Sequence, residues 1–310
     1  MSLTELIFHH YPQSPVSEKV RVVFGIKALS WRSVEIPRIP PKPDLMPLTG
    51  GYRRTPVLQA GADIYCDSLC IIRELERRSP TPSLFPDGTA ALAWGLARWT
   101  DGAMFDTAVG VVLGSAHATL PPEFANDRAR LYFGPGHDLA RLGADLPHLL
   151  TQLRAQLSWA ETSLADGRPY MLGQAAGLVD AVVYYLVWFL RGRYEGGAEL
   201  LKPFARLREW ETRVRDLGHG RSATMGSGEA LSVARDAEPE ASLGVDGDDP
   251  LQIASGTPVA VVPDVDGGDP PVTGRLWALD ADTVVVQRDA ESLGRINVHF
   301  PRAGYRITPC

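Results

Sequence analysis

Cysteine is scarce: Cys66, Cys70 and Cys310 are the only three in 310 residues. Three cannot build a disulfide framework, and an odd count fits a reducing compartment. Cationic residues are not in excess either. Lys plus Arg is 31 against 37 for Asp plus Glu, a net charge of −6. A phosphate backbone would go unneutralised, so nucleic acid is not expected as a main partner. Long apolar runs are missing. The longest, Ala181 to Leu190, falls well short of the roughly 20 residues that a bilayer requires, so no membrane span is expected. The opening MSLTELIFHH has no basic segment followed by an apolar one, so no secretory signal is expected. The seven histidines form no HxH or HExxH spacing. Cys66 and Cys70 stand without a nearby histidine or further cysteine, so no metal is expected. What is present is an ordinary globular composition, 45% apolar and 22% charged. It excludes overall disorder, a coiled coil and a fibrous repeat. The length predicts about two domains with room for a small third, in a soluble, cytoplasmic protein.

Along the chain, residues 1–80 alternate periods. Glu5–His10 reads as a buried strand, and Ser17 to Ala28 as a helix with one apolar face flawed by Gly25. Ser30–Ile36 is a second strand. Pro37 to Pro47 holds five prolines and little regular helix. Thr55–Gln59 and Ala62–Tyr65 form a hairpin, and Asp67 opens a helix through Arg78. This is a compact α/β unit. Ser79–Gly88 is a Pro-rich linker. Residues 89–217 are helical throughout, with segments Ala90–Val112, Leu146–Leu164, Leu178–Leu190 and Ala198–Leu217. The third is apolar all round, which predicts a central position in an all-α domain. Residues 218–250 set two arginines against seven acids and read as a solvated acidic tether rich in Gly, Ser and Asp. One short helix, Gly228–Arg235, is predicted inside it. Residues 251–310 alternate apolar and polar over five short segments separated by turn residues, which predicts a small β-barrel-like domain.

Three stretches carry candidate chemistry. Tyr11-Pro12-Gln13-Ser14-Pro15-Val16-Ser17 lies between the first strand and first helix. Free N–H groups and the positive end of the helix dipole favour an anion there, a thiolate included. Ser14 and Ser17 offer hydroxyl donors. Equally, one serine simply caps the helix. In Arg54-Thr55-Pro56-Val57-Leu58, a cis proline before a strand would present Val57 main chain to a peptide-like ligand. The plain alternative is a trans proline opening an edge strand. In Tyr65-Cys66-Asp67-Ser68, Ser68 and the first helical N–H groups suit a carboxylate, and Asp67 suits an ammonium. Its plain alternative is Asp67 as an ordinary cap.

In this order, inside an α/β unit followed by a helical domain, these stretches resemble the cytosolic glutathione S-transferase superfamily, its bacterial serine-type-like members in particular. The resemblance covers about residues 5–217. It implies a thioredoxin-like N-terminal domain, an all-helical C-terminal domain and glutathione as co-substrate. It further implies that Pro56 is cis, that Val57 pairs with the cysteinyl backbone, and that Asp67 and Ser68 hold the γ-glutamyl end. Ser14 is the first choice to face the thiol, Ser17 the second and Tyr11 the third. Arg53 or Arg54 is placed near the glycine carboxylate. Trp99, Met104 and Phe105 would line a pocket for a small electrophile. A homodimer is expected from the family.

Two departures stand out. The central helix of the second domain opens with Gly177 where the family has Ser or Thr, three residues before Asp180. The stretch Pro37–Gly51 is Pro-rich where the family forms a helix. Serine at both ends of Ser14-Pro15-Val16-Ser17 disfavours dithiol or mixed-disulfide chemistry. Residues 251–310 lie outside the transferase core and are similar to a β-rich extension on some bacterial transferase-like proteins. They form either a binding or regulatory module with Arg295, His299 and Arg302 on one rim, or a stabilising cap. The functional expectation is glutathione attack on an electrophile. Its rivals are a non-catalytic scaffold recruiting a partner through the β domain, and a glutathione-dependent isomerase, dehalogenase or etherase.

Overall fold

Short apolar segments and turn residues set the first elements in the computed structural model, which describes residues 4–265 and 267–310. Ile7–His10 (β1) is buried along its length. Then come Pro15–Ile26 (α1), Ser30–Glu35 (β2), the short helix Met46–Thr49 (α2), Val57–Ala60 (β3), Asp63–Cys66 (β4) and Ser68–Arg78 (α3). The helical region follows as Ala90–Asp101 (α4), Ala103–Ala116 (α5), Pro122–Phe133 (α6), Leu139–Ala144 (α7), Leu146–Ser163 (α8), Leu178–Arg193 (α9), Gly197–Leu201 (α10) and Ala205–Asp216 (α11). The chain ends with Arg221–Thr224 (β5), Ser227–Arg235 (α12), Pro258–Pro263 (β6), Val272–Leu279 (β7), Thr283–Ala290 (β8), Gly294–Pro301 (β9) and Tyr305–Pro309 (β10).

The chain divides into two compact units. The first comprises residues 1–17, 30–77 and 221–310; the second comprises 18–29 and 78–220. In the first, one ten-stranded sheet runs in the order β10-β6-β7-β8-β9-β4-β3-β1-β2-β5. The thioredoxin-like strands occupy its interior. At one end β9 joins β4 in parallel, with Ile64 opposite Val298. At the other, β5 joins β2 in parallel, with Arg32 opposite Ala223. The β-rich C-terminal region follows the helical region, as expected, and its strands continue the N-terminal sheet. It shares one apolar cluster with the N-terminal strands, running from Ile7, Val57 and Ile64 to Val286, Val298 and Phe300.

The stretch 218–250, expected as an acidic tether with one short helix, carries that helix as α12 and adds the strand β5. Its β5 extends the sheet, and α12 buries Ala230 and Ala234 in the same cluster. Gln59, fully buried on β3, explains part of the attachment. Its amide donates to the carbonyls of Gly61 (3.1 Å) and Ala230 (2.8 Å), so its Oε1 accepts from His9 Nε2 at 2.9 Å. That assigns the His9 proton to Nε2. Burial pulls the His9 pKa down to about 4, with the Gln59 bond opposing it.

In the second unit α9 is buried on nearly every side, as its uniform apolarity predicts. Two helices read as single are split. Gly102 separates α4 from α5, and the Lys202-Pro203-Phe204 stretch separates α10 from α11, since Pro203 has no N–H to continue the ladder. Asp180 accepts from Gly177 N–H (2.9 Å), Met171 N–H (2.9 Å) and Trp210 Nε1 (2.7 Å). Glycine stands at 177 because a Cβ there would lie 2.7 Å from the Leu84 carbonyl oxygen, which itself accepts from Leu178 N–H. Gly25 is likewise no flaw: a Cβ at 25 would sit 2.0 Å from the Gly218 oxygen. Glu18 is buried beside Arg21 and His219. Burial pushes its carboxyl up, but the His219 hydrogen bond and the Arg21 charge hold it below its usual value.

Candidate functional site

Strand direction brings three loops together. β1 runs toward His10, β3 starts at Val57 and β4 runs toward Cys66. Their register sets His9 opposite Val57 and Val57 opposite Cys66. The residues after β1, before β3 and after β4 thus leave the sheet at one end. These are the three stretches that carry the candidate chemistry.

After β1, the chain turns with Ser14 N–H donating to the Tyr11 carbonyl at 3.1 Å. Ser14 Oγ then accepts from Ser17 N–H at 3.1 Å. Ser14 therefore caps α1, and its own hydroxyl proton is a separate donor. Ser14 is 2% exposed and Ser17 is fully buried. The Ser17 hydroxyl has no hydrogen-bond partner among the described residues. Tyr11 is buried, with the Arg38 guanidinium 6.0 Å from its ring centre. His10 bonds Ser33 Oγ at 2.9 Å and packs edge-on to Trp31, so it belongs to the wall.

Before β3, the Thr55–Pro56 peptide is cis. Lys42 Nζ pins this segment by donating to the Arg53 carbonyl and Thr55 Oγ1, both at 2.8 Å. Val57 opens an interior strand flanked by β1 and β4, not an edge strand. After β4, Asp67 is in the left-handed region at φ 76°, which Asp tolerates better than most residues. Its Oδ1 accepts from Leu69 N–H at 2.8 Å, and Ser68 is buried at the start of α3.

Arg54 does not stand free for a ligand carboxylate. Its Nη2 and Nε lie 2.6 and 3.1 Å from Asp269 Oδ2. Burial alone would weaken the guanidinium's hold on its proton, but the Asp269 bond and charge outweigh it and raise its pKa. Arg53 Nε is 3.5 Å from the other Asp269 oxygen. Asp67 also has a partner that sequence reading missed. Its Oδ2 lies 3.2 Å from the Tyr305 hydroxyl, which is 3.3 Å from the Tyr52 hydroxyl. Asp269 reads as a turn residue and Tyr305 as an apolar strand position. Only the pairing of β9 with β4 carries their region to the site.

Of the three residues that one reading placed on a rim, two are engaged within the fold. His299 bonds Asp63 Oδ1 at 2.7 Å and stacks on Tyr65, while Arg302 reaches Asp249 at 3.5 Å. Cys66 and Cys70 are buried, and burial pushes both thiols well above their usual value. Among the described residues no cluster of metal-binding side chains is found, and no helix is long and apolar enough to cross a membrane. In the second unit, an apolar pocket of ≈ 360 Å³ is lined by Trp99, Trp159, Met171, Val179 and neighbours. Met104 and Phe105, expected in an electrophile pocket, are buried elsewhere in α5.

Comparison with known proteins gives the family. Residues 8–83 match the glutathione S-transferase N-terminal domain, and residues 123–213 match its C-terminal domain. A GST-like protein from Pseudomonas syringae is 33% identical, with 99% of this chain and 100% of that chain covered and a TM-score of 0.78. The chain belongs to the cytosolic glutathione S-transferase superfamily. A Tau class glutathione S-transferase from mango, Mangifera indica, is 16% identical over 70% of this chain and 94% of its own, with a TM-score of 0.52. A glutathione S-transferase from Rhodospirillum rubrum F11 is 18% identical over 68% and 87%, also at 0.52. These two share the fold. No curated protein matches the chain. The β-rich region of this glutathione transferase-like protein lies beyond both matched domains, yet within the span shared with the Pseudomonas syringae protein.

Proposed function

We propose that the chain binds glutathione at the common sheet end and activates its thiol for attack on a small electrophile. The observation that supports this is the register His9–Val57–Cys66, which gathers the α1 start, the cis Pro56–Val57 step and Asp67–Ser68. In this reading Val57 pairs with the cysteinyl backbone, and Ser68 with the first N–H groups of α3 receives the γ-glutamyl carboxylate. Asp67 takes the ammonium. The Ser14 hydroxyl donates to the thiolate, with Ser17 and Tyr11 as the second and third choices. Such a bond to a charged group contributes about 1.5–3 kcal/mol, which lowers the thiol pKa by about one to two. Arg54 has its carboxylate partner already, so the glycine end is held by other groups.

The 2% exposure of Ser14 favours a second reading, in which glutathione binds without activation and the protein acts as a scaffold. Titration calorimetry with reduced glutathione, on the wild type and Ser68→Ala, tests the binding site. Binding between micromolar and low millimolar, weakened by Ser68→Ala, supports it, and no binding at millimolar glutathione removes it. Ser14→Ala then separates the two readings. Under the catalytic one, the bound thiol's pKa rises by about one to two and turnover with a chloronitrobenzene electrophile falls. An unchanged thiol pKa leaves the scaffold reading.

A further inference from the structure

Asp67 is held from two directions. Its left-handed backbone turns Oδ1 onto the Leu69 N–H at the start of α3 (2.8 Å). Its other oxygen, Oδ2, meets the Tyr305 hydroxyl at 3.2 Å. Tyr305 is on β10, at the far end of the ten-stranded sheet from β5 and about 240 residues along the chain from Asp67. A carboxylate only accepts, so the Tyr305 proton is directed to Asp67, and the Tyr52 hydroxyl at 3.3 Å supplies its own proton to the Tyr305 oxygen. The result is a relay from Tyr52 through Tyr305 to Asp67. Tyr305 and Tyr52 are both buried, and burial keeps both phenols protonated well above the ordinary tyrosine range. Phe300 packs against both rings, with centroids 5.3 Å from Tyr305 and 5.8 Å from Tyr52, so the relay is fixed by the apolar core that β9 and β10 build. Asp269, on the segment before β7, clamps Arg54 in a similar way. Both charged side chains assigned to the site from sequence are thus set by residues beyond the two matched transferase domains.

We propose that Tyr305 is a positioning residue for the glutathione site: its hydroxyl orients the Asp67 carboxylate to receive the γ-glutamyl ammonium. The inference rests on the glutathione reading above and adds the C-terminal strands to it. Each carboxylate oxygen has two accepting positions, so Oδ2 takes the Tyr305 proton and still faces a ligand N–H. Without the hydroxyl, Oδ2 loses this hold, and that part of the carboxylate's orientation has to be set at the moment of binding, which lowers affinity.

The test is titration of the full-length protein with two ligands, glutathione and glutarylcysteinylglycine, which is the same tripeptide without the ammonium. Tyr305→Phe keeps the ring and removes the hydroxyl. It is expected to weaken glutathione roughly 3- to 10-fold and to leave the glutaryl ligand unchanged. In an Asp67→Asn background, Tyr305→Phe is expected to add little, because the two act through one bond. Equal weakening of both ligands, an unchanged glutathione affinity, or a full additional loss in the Asp67→Asn background overturns the positioning role while leaving glutathione binding intact. Absence of wild-type glutathione binding overturns both. Should Tyr305→Phe fail to fold, Tyr52→Phe removes the other end of the relay and is expected to show the same ligand selectivity at smaller size, with the same overturning outcomes.

Discussion

His9 shows how one side chain couples the fold to acidity. Its folded pKa of about 4 lies below the 6.5 of an unperturbed imidazole. Between those values the unfolded chain binds a proton that the native chain refuses, so stability falls as pH drops from 6.5 to 4 and is fully present above 6.5. The loss at the acid end is about 3 kcal/mol. Urea unfolding of the wild type and His9→Gln across this window should show a slope shallower by about one proton for the variant. An identical slope would mean that His9 is not the titrating group. At this scale the candidate site was partly legible. Ser14, Pro56, Asp67 and Ser68 stand out at element boundaries, where each also has an ordinary capping or turn use, and it is their order along the chain that singles them out. Asp269 and Tyr305 gave no local signal, since an acid after two glycines reads as a turn and a tyrosine on an alternating strand reads as core.

Among elements, the two glycines of contrasting surroundings make opposite predictions. Gly25 in α1 allows the chain near Gly218 to approach to a distance that no Cβ permits. Gly25→Ala should destabilise by about 3 kcal/mol through overpacking. Gly95, exposed in α4, has nothing within 4 Å of its missing Cβ. Gly95→Ala should stabilise by about 0.5–1 kcal/mol, because alanine is the better helix former. Denaturant midpoints for the two variants check both signs, and a Gly25→Ala protein as stable as the wild type would refute the close-packing role. The same pair explains what periodicity could not tell. A glycine in a helical pattern looks equally unfavourable in both places, and only the neighbour across the interface gives it a purpose. The longer helices and all five C-terminal strands were legible from apolar spacing, whereas α2, α6, α7 and β5 were not singled out. The breaks at Gly102 and Pro203 were lost because apolar spacing continues through them.

For the molecule as a whole, the short helix expected inside 218–250 is there as α12, and what composition left out is β5 and the attachment of this stretch to the sheet. Its acids and glycines look solvated, yet Ala230 and Ala234 are buried and the Glu240 backbone is held by Asp63, Trp277 and Asn297. Small apolar residues bury little area each, so their pattern is faint beside seven acids. The continuous sheet predicts one cooperative unit. In hydrogen exchange at rising denaturant, amides of β4 and β9 should lose protection together. Early opening of β9 with β4 still protected would restore a separate β domain. The discontinuous first unit also bears on biosynthesis. β4 ends at Cys66 and its neighbour β9 begins at Gly294, so about 230 residues must be translated between the two halves of that pairing. At 5–20 residues per second the ribosome takes roughly 10–50 s to supply them. Through that interval the flank of β4 that takes β9 has no partner strand, so this pairing can close only late in synthesis.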